Sequence, residues 1–177
     1  GGVFRSASWG TPPPGSLAVA MAAADLDGDG RPDLALFDRP DGVAILLNNG
    51  TGLFAPSPAP LPAAPERIRT GALADLDGDG CLDLVGAAAT GIFLWRNQGD
   101  GSFAAAPVPA LDAAILRILP CDLTADSFTD LYLACAGQDL VLVNDGSGTF
   151  ALDPALLPAN DSRSFAAAAG DVNGDLS

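Results

Sequence analysis

The stretch Asp25-Leu26-Asp27-Gly28-Asp29-Gly30-Arg31-Pro32-Asp33 decides how this chain reads, because it comes back. Its second copy is Asp75-Leu76-Asp77-Gly78-Asp79-Gly80-Cys81-Leu82-Asp83. A worn third copy is Asp122-Leu123-Thr124-Ala125-Asp126-Ser127-Phe128-Thr129-Asp130, and a fourth opens at Asp171-Val172-Asn173-Gly174-Asp175. The copies begin 47 to 50 residues apart. A fixed period of that length marks an array of similar supersecondary units.

A second motif travels with the first. It reads Asn48-Asn49-Gly50-Thr51-Gly52-Leu53-Phe54, then Asn97-Gln98-Gly99-Asp100-Gly101-Ser102-Phe103, then Asn144-Asp145-Gly146-Ser147-Gly148-Thr149-Phe150. Glycine at two fixed offsets signals a tight turn, and the phenylalanine after it is a strand residue. Phe4 stands where the same aromatic of an earlier unit would stand.

Four extended runs fill each unit. The first precedes the acidic loop: 17–24, 68–74, 115–121 and 165–170. The second follows it: 33–37, 83–87 and 130–135. The third runs over 43–48, 92–97 and 140–144, and the fourth carries the phenylalanine. Turn residues separate the runs, as antiparallel hairpins require. The alanine runs are too short to stand as helices. Small side chains suit the crowded inner strand of a propeller blade.

The expected fold is therefore all-β, a β-propeller of four-stranded antiparallel blades. The expected units are residues 16–65, 66–113 and 114–163, with the tail of an earlier unit at 1–15 and the start of another at 164–177. About three and a half blades fit in 177 residues, so the chain reads as a segment of a longer propeller.

Composition narrows the function. The net charge of −14 argues against nucleic acid and anionic membrane as partners. No apolar run is long enough to span a membrane as a helix. There is no histidine and no lysine, and Glu66 is the single glutamate, so general bases are scarce and no ordinary serine triad can form. The chain is read as a non-enzyme. Cys81, Cys121 and Cys135 follow no metal-ligand spacing. Cys121 reads as a small buried side chain, with a Cys121–Cys135 bridge left open.

The acidic residues are not scattered. Thirteen of the 22 sit in the four loops, four, four, three and two in chain order, and clustered carboxylates repel unless a cation lies between them. Calcium takes six to eight oxygens and tolerates irregular geometry. Positions 1, 3, 5, 7 and 9 of the loop supply them. In the first loop these are Asp25, Asp27, Asp29, the carbonyl of Arg31, and Asp33. In the second they are Asp75, Asp77, Asp79, the carbonyl of Cys81, and Asp83. Only a carbonyl is used at position 7, so its side chain reads as free to vary. The third set, Asp122, Thr124, Asp126, Phe128 and Asp130, loses a carboxylate and both glycines. The fourth offers Asp171, Asn173 and Asp175. An EF-hand needs glutamate at position 12 and flanking helices, and Leu36, Gly86 and Leu133 stand there instead. Zinc is disfavoured without histidine or cysteine pairs.

Loop and turn together resemble the FG-GAP/VCBS repeat family, the blades of integrin-α-type propellers. That resemblance implies a seven- or eight-bladed ring in an extracellular or cell-surface protein, with Ca²⁺ beneath the blades. It also implies that ligands bind on the opposite face. There lie the loops 38–42, 88–91 and 137–139 and the links 56–65, 104–113 and 153–164. Trp95 reads as packing between blades, while Trp9 lies in a link. The leading function is a binding, adhesion or scaffold module for a protein or glycan. A lectin-like propeller and an accessory propeller attached to an enzyme are the alternatives. The remainder of the same propeller is an expected partner.

Overall fold

A computed structural model describes residues 20–37, 42–59, 61–64, 67–89, 91–158, 164, 167 and 168. Among them there is no helix. Twelve strands form three four-stranded antiparallel sheets. The first sheet holds β1 (Ala20–Ala24), β2 (Asp33–Phe37), β3 (Ala44–Asn48) and β4 (Phe54–Pro56). The second holds β5 (Thr70–Ala74), β6 (Asp83–Ala87), β7 (Ile92–Asn97) and β8 (Phe103–Ala106). The third holds β9 (Ile115–Cys121), β10 (Asp130–Cys135), β11 (Leu140–Asn144) and β12 (Phe150–Leu152). Each is a meander in sequence order, the plan of a propeller blade.

The acidic loop joins the first two strands of every blade and fixes their register. Ala24 pairs with Asp33, Ala74 with Asp83, and Cys121 with Asp130. Loop and glycine turn therefore lie at one end of the sheet, and the β2–β3, β6–β7 and β10–β11 connections at the other.

The core lies between blades. Leu26, Ala35, Phe37 and Ile45 of the first blade pack with Ile68, Leu84, Trp95 and Phe103 of the second. Val85, Ile92 and Leu94 pack instead with Leu131, Leu133 and Leu142 of the third. Leu84 and Val85 are adjacent in β6 and face opposite neighbours, so the strand's period of two serves both joints. That is why β6 is buried throughout. The first strands meet where the blades converge, β1 beside β5 and β5 beside β9. Two positions of the second blade have no room for a side chain. A Cβ on Gly71 would stand 2.3 Å from Phe37 Cε1, and one on Gly86 2.6 Å from Ile68 Cγ2.

Some expected bounds shift. The second blade starts its ladder at Thr70, not Ile68; Ile68 is buried in the core, and the bond from Arg69 N to Ala87 O closes the sheet edge. The third strand of the first blade starts at Ala44 rather than Val43. Trp95 does pack between blades, 3% exposed, with Nε1 donating to Pro62 O at 2.8 Å. All three cysteines are free, so the bridge left open between Cys121 and Cys135 is not made. Phe4, Trp9 and the fourth loop lie outside the described residues.

Candidate metal centre

Each acidic loop is wound by its own carboxylates. At position 1, Asp25 Oδ1 accepts from Gly28 N at 2.9 Å and Oδ2 from Gly30 N at 2.7 Å. Asp75 repeats this with Gly78 N at 2.8 Å and Gly80 N at 3.0 Å. At position 5, Asp29 and Asp79 accept from the N–H two residues on. Positions 4 and 6 have positive φ, between 77° and 86° in the first two loops, which is why glycine stands there.

Position 9 is a staple. Asp33, Asp83 and Asp130 are fully buried. Asp33 takes Leu26 N at 2.9 Å on one oxygen and Asn48 N at 2.7 Å on the other. Asp83 takes Leu76 N at 3.1 Å and Asn97 N at 2.8 Å, and Asp130 takes Leu123 N and Asn144 N, both at 2.9 Å. One carboxylate thus ties the acidic loop to the third strand in every blade.

The side chains then converge. Carboxylate oxygens of Asp25, Asp27 and Asp29 lie within 4.8 Å of one another, as do those of Asp75, Asp77 and Asp83. The clusters leave out Asp33 in the first loop and Asp79 in the second. Asp77 Oδ1 is buried without a hydrogen-bond partner. Burial pushes the Asp83 carboxyl up to about 6, against the N–H groups of Asn97 and Leu76 that pull it down. Burial first, and then the charge of Asp33, raises Asp27. Crowded carboxylates suit a hard divalent cation bound through oxygen, so the residues fit calcium; the second cluster, with its buried Asp83 and orphaned Asp77 oxygen, fits it better than the first, where Asp25 and Asp29 are exposed.

The third loop is different. It keeps the shape without the glycines, with φ of 60° at Ala125 and 73° at Ser127. Thr124 Oγ1 donates to Asp130 Oδ2 at 3.3 Å, and the N–H of Ser127, followed by those of Ala125, Asp126 and Thr124, holds Asp122 below the usual carboxylate range. Asp122, Asp126 and Asp130 form no cluster like the other two among the described residues. Asp171, Asn173 and Asp175 of the fourth loop lie outside them.

Sequence reasoning missed what position 7 does. The side chains of Arg31, Cys81 and Phe128 are not idle. Each covers the first glycine of its own blade's turn. A Cβ on Gly50 would meet Arg31 Cδ at 3.2 Å, one on Gly99 would meet Cys81 Sγ at 3.2 Å, and one on Gly146 would meet the Phe128 ring at 2.6 Å. Arg31 also donates to Asn48 O at 3.0 Å and pairs with Asp29. The signal was the glycine itself, which needs close approach as well as positive φ.

At the other end of the third blade, the expected ligand loop 137–139 is partly committed to the fold. Asp139 is buried and accepts from Tyr132 Oη at 2.7 Å, Ser164 Oγ at 2.6 Å and Cys135 N at 2.8 Å. Burial, then the nearby Asp139 charge, pushes the Cys135 thiol up to about 11.

A family model described as an FG-GAP-like repeat matches residues 25–86, 75–123 and 122–176. The chain belongs to the FG-GAP-like repeat family. Among solved structures, it is similar to a lectin of Agrocybe aegerita described as recognising non-reducing terminal N-acetylglucosamine. Identity is 28% and the TM-score 0.53, over 75% of this chain and 36% of the lectin. The FG-GAP-like chain thus spans about a third of that protein's length. It also aligns with the Tc holotoxin pore of Photorhabdus luminescens at 25% identity and a TM-score of 0.45, over 75% of this chain and 7% of that one. A search of curated protein sequences returns no match.

Proposed function

We propose that this FG-GAP-like segment is a calcium-stabilised, non-enzymatic binding or scaffold module, working outside the cell or at its surface. The observation that carries the reading is the pair of carboxylate clusters within 4.8 Å, one of them holding a buried oxygen without a partner. Asp25, Asp27 and Asp29 would hold one cation, and Asp75, Asp77 and Asp83 another. A bound Ca²⁺ supplies positive charge that lets these carboxylates stay ionised side by side, with no chemistry beyond that. Extracellular modules bind calcium at about 10⁻⁴–10⁻³ M, which suits a structural ion in that compartment.

The site lies at the loop-and-turn end of each sheet. Ligand contact is therefore assigned to the opposite end, through the β2–β3 and β6–β7 connections and the links between blades. Scarcity of general bases supports a module that binds without turnover. Calorimetric titration with calcium and magnesium, with melting in calcium and in chelator, tests the cation. Identical melts in both would reject it.

The lectin similarity favours a second reading, a glycan-binding propeller of which this chain forms part. A glycan array probed in calcium and in chelator separates the two. Specific sugar binding that vanishes in chelator selects the lectin, and no sugar binding leaves the protein-binding module.

A further inference from the structure

We infer that each complete cation loop is half of a site spanning two blades, the other half being the Asn-x-Gly-x-Gly turn of the blade that follows. This rests on the calcium reading above. At the first joint, Asn97 Nδ2 of the second blade donates to Leu26 O of the first loop at 3.1 Å. A Cβ on Gly101 in that turn would stand 3.2 Å from Asp27 Cβ, and one on Gly28 would stand 3.1 Å from Gly99 O. The second joint repeats the pattern. Asn144 Nδ2 of the third blade donates to Leu76 O at 2.8 Å, and a Cβ on Gly148 would stand 3.2 Å from Asp77 Cβ.

So the turn touches loop positions 2 and 3. Position 3 is a cation ligand, Asp27 or Asp77. Position 2 is the leucine whose carbonyl takes the asparagine, and Leu26 and Leu76 are buried at the joint. The following blade therefore fixes where the position 3 carboxylate sits. Linkage makes the effect reciprocal: cation binding in one loop must tighten the docking of the next blade. The two turn glycines now have separate duties. The first lies under position 7 of its own loop, and the second lies against position 3 of the loop before.

The joints differ in one residue. Arg96 in β7 donates through Nη2 to Ser147 O in the third blade's turn at 2.6 Å, while its Nε lies 3.6 Å from Asp77 Oδ2. The corresponding residues in the other blades are Leu47 and Val143. Through the Ser147 carbonyl Arg96 thus fastens the second joint even without the cation, and the first joint has no equivalent among the described residues.

Hydrogen exchange of the whole chain, in calcium and in chelator, tests this. At calcium ten times its Kd, exchange across residues 98–102 should slow about tenfold, and across 145–149 by less. Asp27→Asn should abolish the protection at 98–102 and spare 145–149; Asp77→Asn should do the reverse. Arg96→Leu should raise the calcium dependence at 145–149 to that seen at 98–102, and the unmutated chain in chelator serves if a carboxylate variant fails to fold. Calorimetric calcium binding with protection confined to each loop's own hairpin would overturn the two-blade site and leave the calcium reading standing. No calcium binding at all would remove both.

Discussion

The ring of Phe37 in the first blade lies against the backbone of Gly71 in the second, with Cε1 2.3 Å from where a Cβ would be. Phe37 is fully buried, and Val85 O closes the other side at 2.6 Å. Neither neighbour has room to retreat. Gly71→Ala should destabilise the chain by about 2–3 kcal/mol, an overpacking cost, measured by urea unfolding. A variant as stable as the parent would show that the blades slide apart freely.

The position 9 aspartates should behave differently from the other ligands. Asp83→Ala strands the N–H groups of Leu76 and Asn97 in a buried place. The loss should be about 2–5 kcal/mol in chelator, where only the stranded N–H groups count, and larger in calcium. Asp27→Ala should lower the melting temperature in calcium and change it little in chelator. Parallel melts of the two variants in both buffers check the contrast.

The third loop holds two non-glycine residues at positive φ, Ala125 and Ser127. Each is strained in a way that glycine is not. Ala125→Gly and Ser127→Gly should each stabilise the chain by about 0.5–1 kcal/mol, less the entropy that glycine costs the unfolded state. Chemical denaturation reads the gain. Calcium should not alter it, since Asp122, Asp126 and Asp130 do not converge as the carboxylates of the first two loops do.

Asp83 sets a pH dependence. Its folded value, about 6, is raised from 3.8, so the folded state holds the proton more tightly than the unfolded chain. In chelator its contribution is fully present below about pH 4 and is lost as pH rises through 6, lowering stability over that window. Calcium must displace the same proton. At pH 6, binding in the second loop should release about half a proton from Asp83, falling to none at pH 8. Calorimetry in buffers of different ionisation heat measures it, and Asp83→Asn should erase it.

Much of the architecture was legible because each unit carries its own punctuation. Strands β2, β6, β7, β10 and β11 fall on their expected bounds, since an aspartate opens or an asparagine closes each one. The asparagine's purpose was not legible. Asn97 reaches Leu26 across 71 positions, and Asn144 reaches Leu76 across 68. A periodic sequence shows what is repeated within a unit but not which unit answers it. The loops read in sequence as oxygen cages, while the staple role of Asp33 and Asp83 shows only in the fold. A buried carboxylate bound by two N–H groups looks, in sequence, like any other aspartate of the loop.

The asparagine bonds also give the array a direction. The first two loops are each answered at position 2 by the asparagine of the unit after, while position 8 is held by the asparagine of the loop's own blade. The physical module therefore straddles the boundary that the repeat suggests. Grafting one repeat into another propeller would carry half of two couplings and a whole of neither. A graft running from one acidic loop through the glycine turn of the following blade would transfer an intact coupling, and that is the segment to exchange when building chimeras from this chain.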